Sequence, residues 1–183
     1  QKYTNKKNIA EVLDPTLLLT KQEWNELGEK IKLKENSYIL VYQLHHNKFF
    51  DEYLKKVSKV TKLPIIRINP SFYFKFKFGK FEYLPTPGQF ITYFKNAKYV
   101  ITDSFHGTVF SIIYNKKFVD ILPNKTSTRI ESILKLVGLE KRIIKNLDEV
   151  SWLDDRIDYK EINIKLASER KKSIELLRRA IED

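Results

Sequence analysis

The sequence predicts an open, mostly parallel α/β sheet with helices on both faces, and three observations predict it. Short apolar runs alternate with helical patterns along the chain. The runs are apolar at successive positions, as strands become when helices cover both faces of a parallel sheet. Capping residues stand in front of the helical patterns, so each crossover has a defined start. Together these give a Rossmann-like sheet.

The elements follow in order. Leu13 to Leu19 reads as a lead-in, and Thr20 with Glu23 three residues on has the capping-box spacing, opening a helix to about Lys30. Ser37 to Leu44, SYILVYQL, is the first strand. Asn47 caps a helix to about Thr61 whose apolar residues Phe50, Tyr53, Leu54 and Val57 share one face. Pro64 ends the link, and Ile65 to Ile68 is the second strand. From Asn69 to Gly88, the Phe/Lys alternation at Phe72, Phe74, Phe76 and Phe78 has a period of two, which predicts an edge hairpin or an extended arm. That strip either covers the core or offers an aromatic and basic face to a membrane or partner. Pro87 fits a first helical turn, Tyr99 to Asp103 is the third strand, and Gly107 to Asn115 is a short helix. Lys117 to Leu122 is the fourth strand, Thr126 to Gly138 a helix closed by glycine, and KRIIK, Lys141 to Lys145, the fifth strand. The expected organisation is a single domain over 1–183, with 1–36 as lead-in segment and helix and 159–183 as a charged C-terminal helix.

Composition narrows the function. The chain has 183 residues, no cysteine and a formal net charge of +11, which removes thiolate catalysis and cysteine-held metals. No apolar run approaches the ~20 residues needed to span a bilayer, and no signal peptide is read, so the expected location is the cytoplasm or the inner face of the membrane. The positive surface favours polyanions, phosphorylated small molecules or anionic membranes. No helix-turn-helix, zinc-finger, RRM or KH signature accompanies it, so no specific nucleic-acid partner is expected.

The most informative stretch is YVITDSFHGTVFSIIYNKKFV, Tyr99 to Val119. Strand, loop and helix follow there without spare residues, and ligands of parallel sheets bind beyond the carboxyl ends of the strands. Ser104, His106, Gly107 and Thr108 fall at that edge. Glycine lets backbone N–H groups approach a ligand, and a helix start offers unpaired donors to phosphate or carboxylate. His106 suits proton transfer or contact with an anion. The structural alternative is Ser104 as a plain N-cap and His106 as a packing residue. Asp103 either orients His106 or caps the helix. His45, His46 and Asn47 follow the first strand and face the same edge, as does Arg67 on the second. Two adjacent histidines point apart and make poor joint metal ligands, so no metal is expected. The G-x-G-x-x-G dinucleotide fingerprint is absent.

NAKYVITDSFHGTVFSIIYNKKFV strongly resembles the polysaccharide pyruvyl transferase family, whose members carry a closely similar S-F-H-G-T-x-F-S-I block. VLDPTLLLTKQEWNEL and TSTRIESILKLVGLEKRII resemble family segments in the same order, so the likeness runs over most of Leu13 to Ile144. The resemblance implies pyruvyl transfer from phosphoenolpyruvate to sugar hydroxyls of a surface polysaccharide or its precursor, forming a pyruvate ketal. It implies no cofactor beyond the phosphoenolpyruvate donor, and a catalytic role in donor handling for His106. Ser104, Gly107, Thr108 and Arg129 are then the expected donor and anion contacts, with His45, Asn47 and Arg67 as further cleft contacts. The family's architecture is similar to B-type glycosyltransferases, with two Rossmann-like halves across a cleft. Members run to about twice this length, so the chain is expected to be the C-terminal, donor-binding half, feeble in isolation and partnered by an N-terminal half. A lipid-linked acceptor and peripheral membrane contact fit the same picture. Two other classes stay open: a nucleotide-sugar-binding half of a B-type glycosyltransferase, and a non-catalytic polyanion- or membrane-binding domain.

Overall fold

A computed structural model describes residues 10–29, 37–123 and 127–182. The first capping signal works as its chemistry requires. The Thr20 hydroxyl accepts from the Glu23 N–H at 3.3 Å, and the Glu23 carboxylate accepts from the Thr20 N–H at 2.6 Å. Helix α1 is Pro15–Leu18 and α2 is Lys21–Glu26. The latter is shorter than the expected run to Lys30, which lies outside the described residues. Asn47 caps α3, Lys48–Thr61, accepting from the Phe50 N–H at 3.4 Å. The four residues predicted for its apolar face are all buried.

The strands are β1 Ile39–Tyr42, β2 Ile65–Asn69, β3 Lys80–Tyr83, β4 Tyr99–Thr102 and β5 Lys117–Asp120. They form one parallel sheet in the order β3-β2-β1-β4-β5. The order reverses between β1 and β4, which makes the carboxyl ends of those two strands the switch point of the fold. Register there pairs Tyr42 with Thr102, so Gln43 to His45 and Asp103 to Ser104 leave the sheet side by side.

Successive strand residues face opposite layers. Leu40, Val100 and Phe118 pack with α4 (Pro87–Asn96), α5 (Phe105–Ile113), α6 (Thr128–Val137) and the start of α7 (Tyr159–Glu182). Ile39, Val41, Ile101 and Val119 pack on the other face against α3 and the turn Glu149–Asp154. Each large apolar side chain so buried contributes about 1.5–3 kcal/mol. These two layers fix the carboxyl edge where ligands of such sheets sit.

Three expectations change. KRIIK is not a strand: Glu140–Arg142 is a short 3-10 turn, and Ile143 makes one isolated parallel bridge to Asp120. Its basic residues cannot alternate with the apolar pair as a half-buried strand requires. The fifth strand is instead β3, at the opposite edge and within the Asn69 to Gly88 stretch expected to lie there. The Phe/Lys strip is a 3-10 turn over Phe72–Phe76, so it has no period of two. Phe74 is 2% exposed and Phe76 is 89% exposed, which puts residues two apart on different faces. The third change is that α5 begins at Phe105, two residues earlier than expected, and turns the SFHG loop into its first turn. Thr126 and Asp183 lie outside the described residues; α6 starts after Ser127, whose side chain makes no cap bond.

Candidate functional site

The site grows from Thr102, the last residue of β4. Its hydroxyl donates to the Tyr42 carbonyl at 2.6 Å and accepts from the Ser104 N–H at 3.0 Å, tying the ends of β1 and β4 to the start of α5. A Cβ on Gly107 would stand 2.1 Å from that hydroxyl oxygen. The glycine is therefore required by the approach of α5 to a side chain that two hydrogen bonds hold in place. That packing accounts for the glycine without a ligand, a reason the sequence reading did not supply. Gly107 does not need a positive φ either; among glycines only Gly79 and Gly138 have one.

Ser104 occupies the N-cap position, but its side chain caps nothing. The first turn of α5 thus presents its N–H groups and the positive end of the helix dipole uncapped at the switch point. His106 projects from this turn and is exposed. A core-packing role for it is excluded by that exposure. Thr108 faces the other way: it is fully buried and its hydroxyl lies 2.8 Å from Asp120 Oδ1 and 3.1 Å from the Ser104 carbonyl. Its side chain therefore braces the first turn from inside.

Asp103 does not orient His106. Its two oxygens accept from the N–H groups of Leu44 at 2.6 Å and His45 at 2.8 Å, and Oδ2 lies 3.2 Å from His45 Nδ1. Burial pushes the Asp103 carboxyl up, while these hydrogen bonds and the His45 ring pull it back. His46 turns away, stacking on Phe74 with ring centroids 5.1 Å apart and meeting Tyr73 edge-on. Asn47 is the α3 cap described above.

Arg67 is not a cleft contact. It is fully buried, and its guanidinium donates to Gln43 Oε1 at 2.6 Å and the Phe78 carbonyl at 3.3 Å. Burial lowers its pKa to about 10 despite Asp51 and Asp103 nearby. Gln43 in turn donates to the His45 carbonyl at 2.9 Å. A buried chain from Arg67 through Gln43 therefore supports the turn that carries His45. Sequence reasoning missed Gln43, Thr102 and Asp120, because a polar residue at a strand end gives no pattern until its partners are known.

Arg129 sits beside the first turn of α5, its guanidinium carbon 3.9 Å from the Phe105 ring centroid. It is ion-paired to Asp14 at 2.6 Å, so it approaches an anion only in competition with that carboxylate. Burial alone would raise the Asp14 carboxyl. The Thr16 hydrogen bonds, His106 and Arg129 outweigh it and hold Asp14 below the usual range. A cavity of 680 Å³ opens here, lined by Leu13, Asp14, Phe105, Arg129, Lys165 and Glu169 among others. That volume lies within the usual range for small-ligand sites, about 300–1,000 Å³.

The sequence profile of the family described as "Polysaccharide pyruvyl transferase" matches residues 1–126 of the chain. The chain belongs to that family. The pyruvyl transferase match takes in β1 to β5 and all of α5, hence His45, Arg67 and the DSFHGT stretch; Arg129 lies beyond it. That family is one of transferases. No curated protein matches it. Among solved structures, the Methanocaldococcus jannaschii UDP-GlcNAc 2-epimerase in complex with UDP-GlcNAc and UDP is similar at 15% identity and a TM-score of 0.36, over 85% of this chain. The chain spans 49% of that structure's length. The fold assignment rests on the strand order and the helices on both faces. Among the described residues no helix is long and apolar enough to cross a membrane.

Proposed function

We propose that this chain binds phosphoenolpyruvate and takes part in pyruvyl transfer to sugar hydroxyls, forming a pyruvate ketal. The observation that carries the proposal is the uncapped first turn of α5 at the strand-order reversal, with His106 exposed on it. Phosphoenolpyruvate carries a phosphate and a carboxylate, and unpaired N–H donors at a helix start suit both. Protonation of its methylene carbon makes the neighbouring carbon electrophilic. One sugar hydroxyl adds there, phosphate departs, and a second hydroxyl closes the ketal. His106 stands where it can hand over that proton or contact the phosphate. Ser104 and Gly107 contribute through backbone N–H groups and close packing, and Arg129 through its charge once released from Asp14.

A saccharide acceptor follows from the family, and a lipid-linked one fits the exposed Phe72, Tyr73, Phe76 and Phe78 with the neighbouring lysines. Ligand-shift melting tests the donor assignment. Phosphoenolpyruvate at about 100 times its Kd should stabilise the chain by about 2.7 kcal/mol, raising Tm by several degrees, and His106→Ala should lessen that shift without lowering the unliganded Tm. A rise with UDP-sugars and none with phosphoenolpyruvate would replace this reading with a nucleotide-sugar site. A rise with a generic polyanion alone would replace it with non-catalytic polyanion binding.

A further inference from the structure

We propose that His45 is a second proton-transfer group of the reaction, with Asp103 as its positioning residue across the β1/β4 switch point. The inference rests on the pyruvyl-transfer reading and adds a residue to it. Asp103 is almost wholly enclosed, its side chain 1% exposed, whereas the His45 side chain is 47% exposed. Both Asp103 oxygens already accept backbone N–H groups, from Leu44 and His45. A carboxylate can only accept, so the 3.2 Å contact to Nδ1 is filled by an Nδ1–H donor. That fixes the ring and leaves Nε2 as its acceptor nitrogen, on a half-exposed side chain at the carboxyl edge. The turn holding the ring is itself pinned: Gln43 donates to the His45 carbonyl, and the buried Arg67 holds Gln43. A half-exposed ring on a fixed turn, with one nitrogen left as acceptor, is arranged for proton transfer rather than for packing.

The chemistry needs two proton events. The methylene carbon of the donor gains a proton, and each sugar hydroxyl loses one as its oxygen bonds to the adjacent carbon. Of the two protons released, one balances the methyl group formed and the other leaves on the departing phosphate. With His106 on the neighbouring strand's helix delivering the proton to carbon, His45 Nε2 accepts from the attacking hydroxyl. The C–O bond forms from that hydroxyl oxygen, and the C–O bond to phosphate breaks with its electron pair leaving on phosphate.

The experiment is nitrogen NMR of the histidine rings in the full 183-residue chain, as wild type and as Asp103→Asn, with His45→Gln for assignment. The neutral His45 ring should be in the Nδ1–H form in the wild type and move toward the Nε2–H form preferred by a free imidazole in Asp103→Asn. Far-ultraviolet circular dichroism should show both chains folded. Phosphoenolpyruvate should then shift both the His45 and His106 ring signals. An Nε2–H ring in the wild type, or a tautomer unmoved in Asp103→Asn, overturns the pairing. Movement of His106 alone leaves the donor site standing and overturns the role of His45. If neither ring moves, the donor assignment fails and the role of His45 with it, while the tautomer still reports whether Asp103 holds the ring. In an active assembly, His45→Gln should cost at least about 100-fold in kcat, in the range of general acid–base groups.

Discussion

At the scale of single residues, glycine and histidine sit together in DSFHGT for two separate reasons. His106 is exposed on the first turn of a helix, while Gly107 is there because a Cβ would meet Thr102 at 2.1 Å. The sequence signalled that a glycine was needed but assigned it to a ligand, since the clash partner is a side chain on the preceding strand, five residues back. The two causes are separable by mutation. Alanine in a helix interior gains about 1 kcal/mol over glycine, yet overpacking against a fixed neighbour costs about 1–3 kcal/mol or more. Thr102 is fixed by two hydrogen bonds, so the clash should win. Gly107→Ala is expected to lose about 2 kcal/mol, a fall in Tm of roughly 4–8 °C for a chain of this size. An unchanged melting temperature with lost phosphoenolpyruvate binding would return the glycine to the ligand. His45 was readable as a residue at the ligand edge, but its partner was not. Asp103 reads in sequence as a helix cap or a partner of the nearer histidine, and strand adjacency instead gives it the Leu44 and His45 N–H groups and the His45 ring.

At the scale of elements, legibility tracked the strength of local chemistry. Thr20 with Glu23, and Asn47 before an amphipathic face, each specify a helix start within a few residues, and both formed as read. The strands buried on both faces were legible because short, mostly apolar runs between capped helices leave little choice. The edges were legible only in part: β5 formed within Lys117 to Leu122 as read, whereas Asn69 to Gly88 was read as an edge segment without locating β3 inside it. β3, Lys80–Tyr83, contains two charges and pairs on one side only, so its pattern resembles a loop. The turn before it shows why alternation misled. Phe72, Phe74, Phe76 and Phe78 have a spacing of two in sequence, but only Phe74 is inserted in the interior, against His46. The expected consequence is a steep contrast between neighbours. Phe74→Ala should cost about 3 kcal/mol or more, as buried phenylalanines do. Phe76→Ala should stay within about 0.5 kcal/mol. Urea denaturation of the two variants checks this, and equal losses would restore the flat, one-faced strip.

At the scale of the whole molecule, the carboxyl edge concentrates buried polar groups that a plain core would exclude. Arg67, Gln43, Thr102, Asp103, Thr108 and Asp120 are all buried there. Strand order brings them together, which is why no single stretch of sequence announced them. Asp120 is the most consequential for stability. It is fully enclosed, its Oδ2 has no hydrogen-bond partner among the described residues, and burial pushes its carboxyl well above the ordinary range, with Asp103 adding to the effect. Thr108 has one hydroxyl proton and two acceptors, the Ser104 carbonyl and Asp120 Oδ1. A protonated Asp120 resolves this, because it donates to Thr108 while Thr108 donates to Ser104. Ionisation removes that donor and leaves a charge in the interior, directly beneath the first turn of α5. The sign of the pH effect follows from linkage. The folded state holds the proton to higher pH than the unfolded chain, whose aspartate titrates near 3.8. Above that pH the folded state binds more protons, so stability falls as pH rises, until Asp120 ionises in the folded state as well. The slope is at most about 1.4 kcal/mol per pH unit for one group. Asp120→Asn keeps a donor toward Thr108 and cannot ionise. Its urea midpoint should match wild type near pH 4 and exceed it increasingly toward neutral pH. Parallel profiles for the two proteins would mean that Asp120 is already charged in the fold and that the bracing of α5 has another source.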